Sequence, residues 1–275
     1  MDDLTPGPKS ARWRDALCDE LLGIVFNFPN DVAAFTRTAA ALGFDPATPR
    51  VALALKIDLS ELATVESGLN RIAISVARCQ KIAITDLVST LHHGHVVVWL
   101  PTLRGDSVLA TDALMRTLAR ELFDVNPNIH AMGIGLMGAG ALGWASSANE
   151  AMRALEAGRR LNGTGVASPY SDFVLEESVL RSDNALRYLD AIIDRLSHEQ
   201  DLLHTLAVFF ESGQHRKHAS EHLGIHPNTL NYRLGRIEEI LGAKLDDAHW
   251  QAKLHVAIQL RRASERVDAP DGESP

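Results

Sequence analysis

Hydrophobic positions in the first two thirds of the chain follow two spacings, which predict helices alternating with strands. Apolar residues recur every three or four positions in the predicted helices and form short runs in the predicted strands. Helices are predicted over 12–28, 31–42, 60–80, 107–123 and 146–161, and strands over 51–57, 82–91, 95–100, 129–137 and 166–170. The order β-α-β-β-α-β-α-β predicts an α+β fold with a mixed sheet and helices on one side, the plan of ferredoxin-like and cyclase-like domains.

The last quarter of the chain has only the helical spacing, and a helix-turn-helix is predicted there. Residues 216–223 form a short amphipathic segment that Gly224-Ile225-His226 interrupts. Pro227 suits the first position of the next helix, because the N–H that it lacks would be unbonded there. That helix carries one apolar stripe, formed by Leu230, Leu234, Ile237 and Leu241. Further apolar stripes at 202–210 and 250–258, the second preceded by the capping pair Asp246-Asp247, predict a four-helix unit.

The side of this helix opposite its apolar stripe is polar. It carries Asn228, Tyr232 and Gly235, flanked by Thr229, Asn231 and Arg236. Amides and Arg can bind base edges, hydroxyls can bind phosphates, and a glycine allows close approach of the backbone. The pattern favours binding in a DNA groove, and an ordinary helical hairpin with a polar outer surface is the alternative.

The same segment resembles a known family. Its run is Asn228-Thr229-Leu230-x-Tyr232-Arg233-Leu234-x-Arg236-Ile237-Glu238-Glu239-x-Leu241-Gly242, followed by Leu245-Asp246-Asp247. This run is similar to the C-terminal helix-turn-helix of the PucR/CdaR-type bacterial transcription regulators, and the similarity covers about 60 residues, 202–262. The family usually has a basic residue where this chain has Pro227 and another where it has Asn231, and these departures bear on DNA contact but not on the fold.

The resemblance implies a DNA-binding transcription regulator that controls a metabolic operon in response to a small-molecule effector, with double-stranded DNA as its partner. The expected DNA-binding residues are Asn228, Thr229, Asn231, Tyr232, Arg233 and Arg236. The helical phase of Arg233 places it beside the apolar stripe, so an intramolecular pairing with Glu238 or Glu239 stays open for it.

The middle of the chain resembles the GGDEF-like domain that precedes the helix-turn-helix in those regulators. The resemblance rests on Gly133-Ile134-Gly135, the predicted helix 146–161 and the run Tyr170-x-Asp172-Phe173, and it extends back to Arg12. A diguanylate cyclase needs carboxylates at the central hairpin to hold metal ions, whereas this hairpin is His92-His93-Gly94-His95. We therefore expect a degenerate GGDEF-like domain without enzyme activity, which serves as an oligomerisation scaffold or a ligand pocket.

These expectations divide the chain into five segments. They are a helical prelude (1–49), the GGDEF-like α+β domain (50–173), a helical connector (174–200), the helix-turn-helix domain (201–263) and a disordered tail (264–275). The apolar positions of the connector either form a dimer surface or pack on their own domain. Related regulators often carry a further effector-sensing domain at the N-terminus, which is either absent here or missing from a fragment.

Charge is unevenly distributed along the chain, whose net charge is −8. Residues 202–262 hold eight Lys or Arg against six Asp or Glu, a net charge of +2, so the remainder carries −10. Since neutralisation of phosphates supplies most DNA affinity, this weak positive field predicts poor binding by a single copy. We expect a homodimer or higher homo-oligomer that places two recognition helices on neighbouring half-sites.

Composition predicts a soluble, cytoplasmic protein that does not enter a membrane. Hydrophobic residues make up 46% of the chain and charged residues 23%, as in globular proteins. No run approaches the ~20 apolar residues that span a bilayer, and the Met-Asp-Asp start lacks the features of a signal peptide. Cys18 and Cys79 lie in predicted helices and are expected to be buried thiols, without a disulfide or a metal site.

Two patterns have the spacing of ligand sites. Gly133-x-Gly135-x-x-Gly138 matches a dinucleotide-binding loop, but Gly140 and Gly143 precede the predicted helix and displace its start, so a flexible connection is favoured. Among the seven histidines of 202–262, His218 and His222 lie one helical turn apart, as zinc ligands can. Solvated histidines near DNA phosphates, giving pH-dependent binding, are the favoured interpretation. We expect neither a metal nor a cofactor.

Two rival functions stay open. A ligand- or nucleotide-binding regulatory protein could act through the middle domain without direct DNA binding, and it would show a thermal shift with such a ligand alone. A partner-binding adaptor with a vestigial helix-turn-helix would protect no DNA even at low salt.

Overall fold

A computed structural model describes residues 8–58, 65–102 and 107–267 and divides the chain into two compact units, 1–173 and 174–275. The helices of the first unit are α1 Pro8–Asn27, α2 Val32–Ala41, α3 Val65–Gln80, α4 Val108–Val125 and α5 Gly140–Asn162. Its strands are β1 Arg50–Ile57, β2 Val88–His92, β3 His95–Pro101, β4 Ile129–Ile134 and β5 Val166–Pro169. None of the described helices is both long and apolar enough to cross a membrane.

The five strands form one mixed sheet in the order β2-β3-β1-β4-β5. All neighbours pair antiparallel except β4 and β5, which are parallel. This confirms the predicted α+β fold and its mixed sheet. The predicted strand 82–91 begins only at Val88, because Ile84–Asp86 forms a short 3₁₀ helix. The first five residues of the predicted helix 60–80 lie outside the described part of the chain.

Helices cover both faces of the sheet, so the prediction of helices on one side is wrong. On β1, Val51, Leu53 and Leu55 pack against α3 and α4. The intervening Ala52 and Ala54 lie in a second core with α1, α2 and α5. A strand with both faces buried needs apolar residues at consecutive positions. The uninterrupted apolar run of β1 was therefore the sequence feature that indicated two covered faces.

Helix α5 begins at Gly140, six residues before its predicted start at 146. The glycines ahead of it bring the strand and the helix close together. A Cβ on Gly133 would lie 1.9 Å from the carbonyl oxygen of Ala151, and one on Gly135 would lie 2.0 Å from that of Ser147. The glycine spacing is thus a requirement of tight strand–helix packing, and the predicted flexible connection between β4 and the helix is wrong.

In the described residues of the second unit, 174–267, the regular elements are helices that share a core. It comprises α6 Val174–Leu180, α7 Asp183–Ser197, α8 Gln200–Glu211, α9 Arg216–Leu223, α10 Pro227–Leu241 and α11 Ala248–Val267. The apolar face of α7, with Leu189, Ile193 and Leu196, is buried in the same core as α8 to α11. Of the two uses proposed for this stripe, packing on its own unit is the one that the structure shows. The predicted disordered tail overlaps the last four residues of α11, and 268–275 lie outside the described residues.

Both cysteines are free thiols. Cys18 and Cys79 are half-buried, and burial raises the pKa of each thiol above its ordinary value.

Candidate nucleic-acid interface

The turn between α9 and α10 is set by two local features. Gly224 follows the last residue of α9 in a left-handed conformation with φ of 62°, which glycine adopts without steric cost. His226 then caps α10, since its Nδ1 accepts a hydrogen bond of 3.2 Å from the N–H of Asn228. Pro227 is the first residue of α10, as the sequence predicted. Short-range chemistry therefore defines where the second helix of this helix-turn-helix starts.

Burial divides α10 into an inner and an outer side. The predicted stripe of Leu230, Leu234, Ile237 and Leu241 is buried in the core of the unit. The outer side is exposed, and Tyr232 on it has 73% of its surface exposed. The helix that follows α10 in the chain, α11, is capped at its start by Asp247, whose Oδ1 accepts from the N–H groups of His249 and Trp250.

Most of the predicted DNA-binding residues lie together on the outer side of α10. Those exposed there are Asn228, Thr229, Asn231, Tyr232 and Arg236. The structure thus brings together one hydroxyl, two amides, one phenol and one guanidinium along the first three turns of a single helix. These groups can donate to or accept from base edges and phosphate oxygens.

Arg233 differs from this group because it contacts the neighbouring helix. Its Nη1 donates to Oγ1 of the buried Thr205 at 3.1 Å, and its Nη2 lies 3.0 Å from Oδ2 of Asp201. Both partners belong to α8, whereas the partners considered from the sequence were Glu238 and Glu239. Arg233 therefore links α10 to α8. Glu238, one of the two partners expected for it, accepts from Lys244 and from the N–H of Leu245.

Arg236 is exposed but paired with acidic side chains. Its Nη1 lies 2.9 Å from Oε2 of Glu239, and its Nη2 lies 3.6 Å from Oε1 of Glu199. The hydrogen bond with Glu239 and the charge of Glu199 raise the pKa of Arg236 above its ordinary value. A phosphate or a base that binds Arg236 must therefore compete with these carboxylates.

An open groove of about 980 Å³ runs along the same face of α10. Its lining includes Tyr232, Gly235 and Arg236 from α10, and Lys244 from the segment that follows. Glu199, Glu238 and Glu239 also line it, so the groove is of mixed charge. This agrees with the weak net positive charge counted for the segment.

Arg216 is a residue that the sequence analysis did not select. It is the first residue of α9, and its Nη1 donates a hydrogen bond of 2.6 Å to Oδ1 of Asn231 on α10. The structure thus brings a guanidinium to position 231, where a basic residue was expected from the resemblance and asparagine is present. A basic residue at the start of α9 was the available sequence signal, but its partner lies 15 positions away.

Several of the histidines make local contacts. His226 caps α10, and Nδ1 of His222 lies 3.5 Å from Oγ of Ser212. In the hairpin, His92 stacks on Phe26 with ring centroids 3.8 Å apart. Across residues 8–58, 65–102 and 107–267, no three His, Cys, Asp or Glu side chains are grouped as metal ligands would be.

Two family models match the chain: the GGDEF-like domain over residues 27–157 and the PucR C-terminal helix-turn-helix domain over 202–260. The chain is 34% identical over 74 residues to the purine catabolism regulatory protein of Bacillus subtilis (strain 168), which is 27% of this chain and 14% of that protein. It is 38% identical over 64 residues to the DNA-binding transcriptional activator AdeR of the same organism, 23% of this chain and 15% of that protein. The matched segment thus spans about a seventh of the length of these relatives.

A crystal structure of a regulator of polyketide synthase expression from Bifidobacterium adolescentis is also similar. It is 18% identical, with coverage of 92% of this chain and 99% of that chain, and its TM-score is 0.42. An overlap this loose supports no further conclusion.

Proposed function

Because the chain joins a GGDEF-like domain to a PucR C-terminal helix-turn-helix domain, we propose that it is a transcription regulator of the PucR/CdaR type that binds double-stranded DNA through α10. The observation that carries the proposal is the exposed polar side of α10, opposite a fully buried apolar stripe. The relatives named as regulators support it through the same segment of the chain.

The chemistry of α10 suits insertion into a major groove. Its first turns present Asn228, Asn231 and Tyr232 to base edges, and the hydroxyl of Thr229 is suited to a phosphate. Arg233 orients the helix from within the unit by bonding to α8. Arg236 exchanges its carboxylate partners for DNA, so its contribution should be most sensitive to salt.

The remaining parts of the proposal concern assembly and regulation. The weak positive charge of residues 202–262 favours a homodimer or higher homo-oligomer that binds two half-sites about 34 Å apart. The first unit would act as an oligomerisation scaffold or receive a small-molecule effector, and it would perform no catalysis. The regulator would work in the cytoplasm and control a metabolic operon. The glycines with dinucleotide-binding spacing include Gly133 and Gly135, which lie against α5, so packing accounts for them.

Selection from a random DNA duplex library with the full chain tests the proposal. The wild type should enrich a motif, and the double variant Tyr232→Ala, Arg236→Ala should not, while circular dichroism and oligomeric state stay unchanged. The matched control is Arg187→Ala, Tyr188→Ala, which removes the same two residue types from the exposed side of α7. Equal affinity of the wild type and the Tyr232, Arg236 variant would contradict binding through α10.

A further inference from the structure

The Arg216–Asn231 hydrogen bond joins the two helices of the helix-turn-helix on their exposed side. Nη1 of Arg216 lies 2.6 Å from Oδ1 of Asn231, and both side chains are exposed. Glu238, further along α10, is an acidic residue that could also attract Arg216. Its carboxylate instead accepts from Nζ of Lys244 at 2.7 Å and from the N–H of Leu245 at 3.0 Å. Arg216 is therefore directed to the amide of Asn231, close to the start of α10.

This pairing determines which way the amide of Asn231 points. A guanidinium has only donors, so the amide group that faces Arg216 must be its oxygen. The NH₂ group of Asn231 then points away from Arg216. Together the two side chains offer several further N–H donors to a ligand, while one of the two lone pairs of the amide oxygen is engaged by Arg216.

A surface with more donors than acceptors distinguishes between purines in a major groove. Guanine presents two acceptors there, N7 and O6, whereas adenine presents one acceptor and one donor. An asparagine binds adenine in a bidentate manner only when its oxygen is available to the N6 amino group. The oxygen of Asn231 is shared with Arg216, whose remaining N–H groups match the two acceptors of guanine. Asn231 lies within the first turns of α10, where recognition helices reach base edges.

We propose that Arg216 and Asn231 form a specificity-determining pair that selects guanine over adenine at one position of each half-site. The proposal rests on DNA binding by α10 as proposed above. Phosphate oxygens are the other acceptors that this donor pair could bind. Contact with a phosphate would position the protein without selecting a base.

Duplex selection with the full chain and three variants tests the pair. The wild type should select guanine at one position per half-site. In Arg216→Ala the oxygen of Asn231 is released, so the preference at that position should fall by about tenfold or change to adenine, with other positions kept. Asn231→Ala should lower the same preference, and the double variant should show less than the sum of the two losses.

Lys217→Ala is the matched control, because it removes the neighbouring positive charge of α9 and leaves the pair intact. This variant should lower the affinity for all duplex sequences by the same factor. An Arg216→Ala variant that folds as shown by circular dichroism, but weakens all sequences evenly and lowers the salt dependence, would overturn the pair as a base reader in favour of a phosphate contact. Unchanged preference would overturn it too. A wild type that enriches no duplex would overturn DNA binding itself and the pair with it.

Discussion

Arg233 Nη2 lies 3.0 Å from Oδ2 of Asp201, and this contact links α10 to α8, the helix that precedes the helix-turn-helix. The same guanidinium donates to Oγ1 of Thr205, which is buried. Arg233 thus bonds within its own unit beside a polar surface, although its sequence context matches that of the residues predicted to bind DNA. The orientation of α10 depends on α8 through this contact.

Loss of this contact should loosen the helix-turn-helix. Arg233→Ala leaves the hydroxyl of Thr205 without its guanidinium partner, and charge-assisted hydrogen bonds of this kind contribute about 1–2 kcal/mol when partly exposed. Amide hydrogen exchange in α8 and α10 should become roughly fivefold to thirtyfold faster. Arg236→Ala, whose partners are exposed carboxylates, should leave exchange nearly unchanged. Equal effects of the two variants would show that Arg233 does not hold the helices together.

Gly235→Ala should raise the stability of the second unit and lower its affinity for DNA. A Cβ at Gly235 meets nothing within 4 Å, and alanine in a helix interior is favoured over glycine by about 0.5–1 kcal/mol. Unfolding of the second unit should therefore need more denaturant, while affinity for a selected duplex falls because the methyl group blocks close approach of the backbone. Gly23→Ala in α1, also in open space, should leave affinity unchanged. Undiminished affinity of Gly235→Ala would show that the backbone does not approach DNA there.

Gly135→Ala should destabilise the first unit strongly. Its Cβ would lie 2.0 Å from the carbonyl oxygen of Ser147, a backbone atom that moves only if α5 moves. Overpacking of this kind costs about 3 kcal/mol or more, and the melting temperature should fall accordingly. The same substitution at Gly23 provides the comparison, since it adds a methyl group in open space. A Gly135→Ala variant that melts like the wild type would disprove the close packing of β4 on α5.

We expect the free energy of unfolding of the first unit to depend on pH through the carboxyl group of Glu150. Burial raises the pKa of its carboxyl above the ordinary value, although the N–H of Leu136 and the charge of Arg153 lower it in part. Between the ordinary and the raised pKa the folded protein binds a proton that the unfolded chain has lost. The free energy of unfolding therefore decreases as pH rises through this window, and ionised Glu150 remains unfavourable above it.

Glu150→Gln removes this ionisation, and its amide oxygen can still accept from Leu136. The variant should melt at a higher temperature than the wild type near neutral pH, and the difference should shrink as acid protonates Glu150. Thermal unfolding followed from about pH 4 to pH 7 measures it. Glu156→Gln on the exposed side of α5 is the control. Lower stability of Glu150→Gln at every pH would mean that the carboxylate bond to Leu136 outweighs the cost of burial.

Sequence patterns located elements best where local chemistry defines their ends. Asp31 caps α2 by accepting from the N–H of Ala34, at the start of the helix predicted over 31–42. The start of α5 was placed too late, because its first turn contains Gly140 and Gly143, residues typical of loops. Glycine suits both positions, because Gly140 has a positive φ of 68° and a Cβ on Gly143 would lie 2.5 Å from the carbonyl carbon of Gly138.

The amino-acid sequence by itself determined the α+β order, the turn at Gly224 and the start of α10 at Pro227, because caps, proline and apolar spacing act over a few residues. Tertiary structure alone decided which partners Arg233 and Arg216 find on neighbouring helices. Arg233 meets Asp201 across 32 positions and Arg216 meets Asn231 across 15. Such partners are brought together by the packing of whole helices around one core, and the helical period of either segment carries no information about the other.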